Sequence, residues 1–229
     1  MRKYRHLFFD LDHTLWDFET NSENTLLSLA KKYNLPTVHG PEGFVETYKV
    51  VNKKLWMQYE NGEIDQQTLR TERFRVSLLG QGITDEVFTK KISEEYLHEL
   101  PSRKILMEGA HETLEYLRKS YSIHLITNGF EEVQHKKIKH AGISHFFDSV
   151  ITSEKAKCMK PGKEIFELAL QSNRAEASES LMIGDNHGAD VIGAAGVGMD
   201  QVWFNPPESH AHKSSTYRIN TLRELFQIL

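Results

Sequence analysis

The sequence predicts an α/β fold built on a central parallel sheet, with a second, helical domain inserted into it. Three observations carry this reading. Short apolar runs recur along the chain, helical patterns separate the last four of them, and a long helical stretch stands between the first run and the second. Strands alternating with helices in this way form βαβ units and a parallel sheet.

The first run spans residues 5–10, where His6-Leu7-Phe8-Phe9 is apolar and aromatic and reads as a buried strand. After it, Val45, Tyr48, Leu55 and Tyr59 fall near helical spacing, as do Leu69, Phe74, Val76 and Leu79, and Gly62 and Gly82 punctuate these helices. Residues 17–95 are therefore expected to form a helical domain covering the open end of the sheet, with residues 1–16 and 96–229 forming the core domain. Residues 107–119 read as a crossover helix returning to the sheet. Strands follow at 122–126, 149–152, 180–184 and 201–204, with helices at 130–141, 162–173 and 187–195 between them. The tail, with Pro206-Pro207 and Ser214-Ser215, reads as loop before a short closing helix at 221–228.

With 39% hydrophobic and 26% charged residues among 229, the composition is that of a globular protein with an adequate core. A net charge of −4 argues against binding nucleic-acid polymers through a broad basic face. No apolar run approaches the roughly 20 residues needed to cross a bilayer, and the apolar run after the basic N-terminus is too short for a signal peptide. The single cysteine, Cys158, excludes an intramolecular disulfide and suits a reducing compartment, so a cytoplasmic location is expected.

Four groups of polar residues fall at the ends of four of these strands. Asp10 and Asp12 lie two apart, where strand alternation points both to one side. Two acids there are costly to desolvate without a cation or a shared proton; alternatively, the pair is a turn with a capping Asp. Thr127-Asn128-Gly129 precedes a helix opening with Phe130-Glu131-Glu132, where a hydroxyl and free N–H groups can cradle a phosphate or simply cap the helix. Lys160-Pro161 places a cation where proline suits the first helical position, so Lys160 is expected at the cap. A solvated lysine in a basic stretch is the other reading. Gly184-Asp185-Asn186-His187-Gly188-Ala189-Asp190 adds two more carboxylates, and such a hard oxygen set favours Mg²⁺ over Zn²⁺.

Taken in order, DLDHTL, TNG, Lys160-Pro161 and GDNHGAD resemble the motifs of the haloacid dehalogenase (HAD) superfamily, in the subfamily with a helical cap inserted after the first strand. Within it, DLDHTLWDF at 10–18, Arg70-Thr71-Glu72-Arg73-Phe74 and the stretch 184–206 are most similar to YjjG-type pyrimidine 5′-nucleotidases. His13 departs from the small or acidic residue common at its position.

The resemblance implies a Rossmann-like HAD core and a Mg²⁺-dependent phosphatase that works through an aspartyl-phosphate. Asp10 would be the nucleophile and Asp12 the acid and base. Asp10, Asp185 and the main-chain carbonyl of Asp12 would hold Mg²⁺. Thr127, the Asn128 N–H and Lys160 would bind phosphoryl oxygens, and Asp190 would orient groups beside the cation. An acid at Asp12 favours a phosphate ester over a haloacid, because an alkoxide leaves with a proton and a halide does not. The expected partner is a small phosphorylated metabolite, a nucleoside monophosphate above others, handled by a monomer or homodimer. Sugar-phosphate or phosphoglycolate-type phosphatase and phosphomutase are alternatives, and a phosphorylatable signalling domain is a non-enzymatic one. No role is assigned to His13, His187 or Cys158.

Overall fold

The computed structural model describes residues 3–35, 40–210 and 214–229. In chain order the main elements are β1 (His6–Phe9), α1 (Phe18–Lys32), α2 (Gly40–Glu60), α3 (Gln66–Leu79), α4 (Glu86–Glu99), α5 (Ala110–Leu117), β2 (Ser122–Thr127), α6 (Glu131–His140), β3 (Ser149–Thr152), α7 (Ser153–Ala156), α8 (Lys163–Ser172), β4 (Ser180–Gly184), β5 (Asp200–Phe204) and β6 (Tyr217–Ile219). The chain divides into two compact units, Met1–Phe18 with Lys104–Leu229, and Glu19–Arg103. The second boundary lies beyond residue 95 because α4 continues to Glu99, turning Ile92 and Tyr96 into the helical core.

The first unit is a six-stranded sheet in the order β3-β2-β1-β4-β5-β6, with every neighbouring pair parallel. Its central strands are buried along nearly their whole length, as expected of a parallel sheet covered on both faces. Phe8, Ile126, Ile151 and Met182 pack with Ile165, Phe166 and Ala169 of α8. In the register of β1, Phe9 stands opposite Leu125 on one side and Ile183 on the other. The carboxyl ends of β1, β2 and β4 therefore lie side by side in the middle of the sheet, where open α/β sheets bind their ligands.

Two elements differ from the sequence reading. β6 falls within the tail read as loop; its three residues are too few to show alternation, yet they extend the edge beyond β5. The segment after β4 is a π-helical turn, His187–Ile192, followed by a single helical turn at Gly193–Ala195. Asn186 caps it, its side chain accepting from the amides of Gly188 and Ala189 at 3.0 Å each.

On β2, His124 is 2% exposed, stacked on Phe8 at 4.7 Å and in contact with His6, ring nitrogen to ring nitrogen, at 3.1 Å. Burial first, then the neighbouring His6, lowers the imidazole's pKa to about 4. Below the ordinary histidine range the unfolded chain takes up a proton that the fold refuses, so this contribution is whole above pH ~6.5 and is lost as pH falls towards 4. His124→Leu is therefore expected to remove roughly 2–3 kcal/mol of the stability difference between pH 7 and pH 4.5. Urea unfolding of both proteins at the two pH values measures this; parallel losses would refute it.

In the helical unit, Asp65 and Asp85 start α3 and α4 by accepting the amides of Thr68 and Phe88, at 2.7 and 3.0 Å. Left-handed turns at Gly62 and Gly82 separate α2, α3 and α4. Tyr48, Phe74 and Tyr96 form the aromatic centre, with ring centroids 5.0–5.4 Å apart. The inward face of α3 is Leu69, Arg73, Phe74, Ser77 and Leu78, whereas Val76 and Leu79 are exposed. Arg73 is buried against the Tyr96 and Phe74 rings and donates to Asn52, so an apparent polar position belongs to the core.

Candidate active site

Asp10 follows β1 directly, its amide donating to the Ile183 carbonyl of β4 at 2.9 Å. Its carboxylate oxygen Oδ1 accepts from Lys160 Nζ at 2.6 Å. The same ammonium donates to Asp190 Oδ1 at 2.6 Å and to the Ile126 carbonyl at 2.9 Å. Lys160, at 3% exposure, thus ties the ends of β1 and β2 to the turn that follows β4. It is not the helix cap expected from the proline: Gly162 caps α8, which begins at Lys163, and the Lys160-Pro161 bond is cis and precedes it. Asn128 holds the lysine backbone instead, accepting from its amide at 2.8 Å and donating to its carbonyl at 3.0 Å.

Asp185 follows β4. Its Oδ1 accepts from Thr14 at 3.2 Å, and its carbonyl accepts from the Trp203 indole at 2.8 Å. Asp190 has both carboxylate oxygens engaged, Oδ1 by Lys160 and Oδ2 by the Asn186 amide at 3.0 Å. A side chain at Gly184 would overlap the Asp190 carboxylate, so the end of β4 must be glycine for this acid to pack there.

One oxygen from each of Asp10, Asp185 and Asp190 lies within 4.8 Å of the others. Burial raises the pKa of Asp10 to about 6 against the opposing pull of Lys160, with Asp190 and Asp12 adding to the rise. Asp185 is likewise raised to about 6, by burial and then by Asp10. Asp190 is also raised, chiefly by burial. Burial pulls Lys160 down, but Asp10 and Asp190 outweigh it and hold the ammonium above its ordinary value. Two buried carboxylates thus share one lysine beside a third, half-buried one, and this hard oxygen set fits a divalent cation such as Mg²⁺. Because Lys160 and a backbone amide already take both Asp190 oxygens, Asp10 and Asp185 are the acids suited to direct coordination, and Asp190 to holding the lysine.

The Asp12 side chain lies outside this acidic group. Lys137 Nζ donates to Oδ1 at 2.6 Å and Oδ2 at 2.9 Å, and Gln134 Nε2 donates to Oδ2 at 2.9 Å. Gln134 Nε2 also donates to Thr127 Oγ1 at 2.7 Å, which accepts from the Gly129 amide at 3.1 Å as well. Thr127 acts as acceptor in both contacts, leaving its hydroxyl hydrogen to donate. A side chain at Gly129 would overlap Gln134, so TNG ends in glycine to let that amide through. Gln134 and Lys137 were missed at the sequence level. They lie three apart on the inward face of α6 with Ile138, and polar residues on a face that should be apolar were the available signal.

The remaining residues play smaller parts. His13 adopts a left-handed backbone (φ 67°), with its ring against Phe18 at 5.1 Å. His187 packs its ring, tilted, against Trp203 at 4.5 Å and contacts the Ser214 carbonyl, and Trp203 in turn donates to the Asp185 carbonyl. Burial and then the neighbouring Glu164 raise the pKa of the Cys158 thiol, opposite to what a reactive thiolate needs.

A model of the haloacid dehalogenase-like hydrolases matches residues 7–204. The chain belongs to this family and is a hydrolase of it. Among curated relatives, it is 30% identical to the pyrimidine 5′-nucleotidase PynA of Streptococcus pneumoniae over 99% of this chain and 95% of that protein. It is also 30% identical to the pyrimidine 5′-nucleotidase YjjG of Escherichia coli, over 99% and 98% of the two chains. Among solved structures, the magnesium-bound HAD-hydrolase YfnB of Bacillus subtilis superposes with a TM-score of 0.88 at 29% identity, covering 100% of this chain and 99% of that one.

Proposed function

We propose that the chain, a phosphoric monoester hydrolase of this family, hydrolyses pyrimidine nucleoside 5′-monophosphates with Mg²⁺ through an aspartyl-phosphate on Asp10. The observation that carries the chemistry is the pairing of two aspartates in different surroundings: Asp10 on Lys160 beside Asp185, and Asp12 on Lys137 and Gln134. The substrate class rests on PynA and YjjG, which match this chain nearly end to end.

Bound Mg²⁺ would supply charge neutralisation between the nucleophile and the phosphoryl group. The chain's own residues do the rest. A carboxylate oxygen of Asp10 attacks phosphorus, the bond to the ester oxygen breaks, and the departing alkoxide takes a proton from the Asp12 carboxyl. Water then attacks the same phosphorus, gives a proton to the Asp12 carboxylate and displaces Asp10, which restores both residues and releases phosphate. Thr127 and the Asn128 N–H donate to phosphoryl oxygens, and Lys160 stabilises charge on the nucleophile's side as it develops. We assign substrate selection to the helical unit as a cap.

Phosphate release from nucleoside monophosphates, sugar phosphates and phosphoglycolate, with Mg²⁺ and with chelator, tests this reading. Mg²⁺-dependent release with UMP, dUMP or dTMP preferred is the expected result. A preference for sugar phosphates would keep the chemistry and overturn the substrate class. No metal-dependent release from any of them would overturn the function.

A further inference from the structure

We infer that Lys137, supported by Gln134, positions the Asp12 carboxylate for proton exchange with the leaving oxygen. The inference rests on the reading above, in which Asp12 is the acid and base.

Lys137 is 3% exposed, with its ammonium over the Trp16 ring at 4.4 Å and the Phe18 ring at 5.5 Å. These walls confine the side chain, and a buried ammonium needs an anionic partner. Asp12 provides it through both carboxylate oxygens. Gln134 must turn its amide nitrogen towards Asp12, because a carboxylate only accepts. That choice leaves Gln134 Oε1 buried with no hydrogen-bond partner, an unfavourable arrangement that the fold tolerates in order to hold the acid.

Asp12 Oδ2 is held by two donors and Oδ1 by Lys137 alone, which leaves Oδ1 as the oxygen to exchange a proton with substrate. Two lysines therefore divide three aspartates: Lys160 serves Asp10 and Asp190, and Lys137 serves Asp12. Both donors reach Asp12 from α6, where Gln134 and Lys137 share one face.

The test compares Lys137→Met with the unmodified protein on a nucleoside monophosphate, whose alkoxide needs a proton, and on p-nitrophenyl phosphate, whose leaving group does not. We compare kcat/KM throughout, because it reports only the steps up to departure of the leaving group and not the later water attack in which Asp12 is the base for both substrates; it should fall about 10–100-fold on the first and less than about 3-fold on the second. In an Asp12→Asn background, Lys137→Met should cost nothing further, and Lys137→Arg should recover part of the loss. Equal losses on both substrates, or a full additional loss in the Asp12→Asn background, would overturn the inference. Circular dichroism and thermal unfolding accompany each variant. If Lys137→Met does not fold, Lys137→Gln carries the same comparison. Should Asp12→Asn itself lose equally on both substrates, the acid–base reading of Asp12 would fail, a result separate from any outcome at Lys137.

Discussion

Asp10→Asn is expected to lower Mg²⁺-dependent phosphate release by on the order of 10⁴-fold or more while leaving the protein folded. The amide keeps the size of the side chain and can still meet Lys160, but it offers no anionic oxygen to attack phosphorus. Stability should not suffer in proportion. The Asp10 carboxyl is raised to about 6 in the fold, so its ionised form is disfavoured there relative to the unfolded chain. For a carboxylate raised in this way, stability is greatest at acid pH and declines as pH rises through about 6, the reverse of a surface ion pair. Removing the charge should flatten that decline and shrink the increase in melting temperature produced by Mg²⁺ at pH 7.5. Acid-quench mass spectrometry should find phosphate on the original protein and none on the variant. Activity within about tenfold of the original would rule out Asp10 as nucleophile.

Lys160→Met is expected to damage both stability and turnover. Its ammonium is the shared partner of two buried carboxylates, and breaking a buried pair by removing one member costs about 3–5 kcal/mol. For a protein of this size that corresponds to a fall in melting temperature of roughly 6–20 °C. The damage should be smaller at pH 5 than at pH 8, because Asp10 can then protonate rather than remain a buried anion. Mg²⁺ should recover part of the stability at neutral pH, but turnover should stay down by roughly 10²–10³-fold, since charge on the phosphoryl group loses its fixed cation. An unchanged melting temperature with turnover within tenfold would mean that Lys160 is neither counterion nor catalyst.

The parts of the site that follow a strand were readable in advance, because an apolar run ending in Asp, Thr or Gly-Asp locates both the strand and what stands at its end. Asp10, Thr127 and Asp185 are of this kind. Lys160 was located as a residue but not as a geometry. The proline rule placed it at a helix start, whereas Gly162 is the cap and Asn128 fixes the lysine backbone across 32 residues of sequence. Such a clamp leaves no periodic trace. Lys137 was harder still, since a lysine among Lys136, Lys137 and Lys139 reads as a solvated face until the partner of its inward side is known. The same blindness applied to α3, where Arg73 occupies the inward position and Val76 the outward one. Charge and hydropathy describe a residue alone, whereas burial depends on what the chain brings against it.

The place of β1 within the sheet has a mechanical consequence. β1 is hydrogen-bonded along both edges, to β2 and to β4, and the Asp10 amide extends the second ladder by one bond to Ile183. An edge strand can peel from a sheet by local fraying, but a central one is released only when its neighbours separate as well. The nucleophile is thus carried on a slow-opening part of the backbone, while the loops that follow the strands can breathe on their own timescales. Amide hydrogen at Asp10 should exchange with the core of the sheet rather than with its rim, so the attacking oxygen holds its bearing while the surface around it fluctuates.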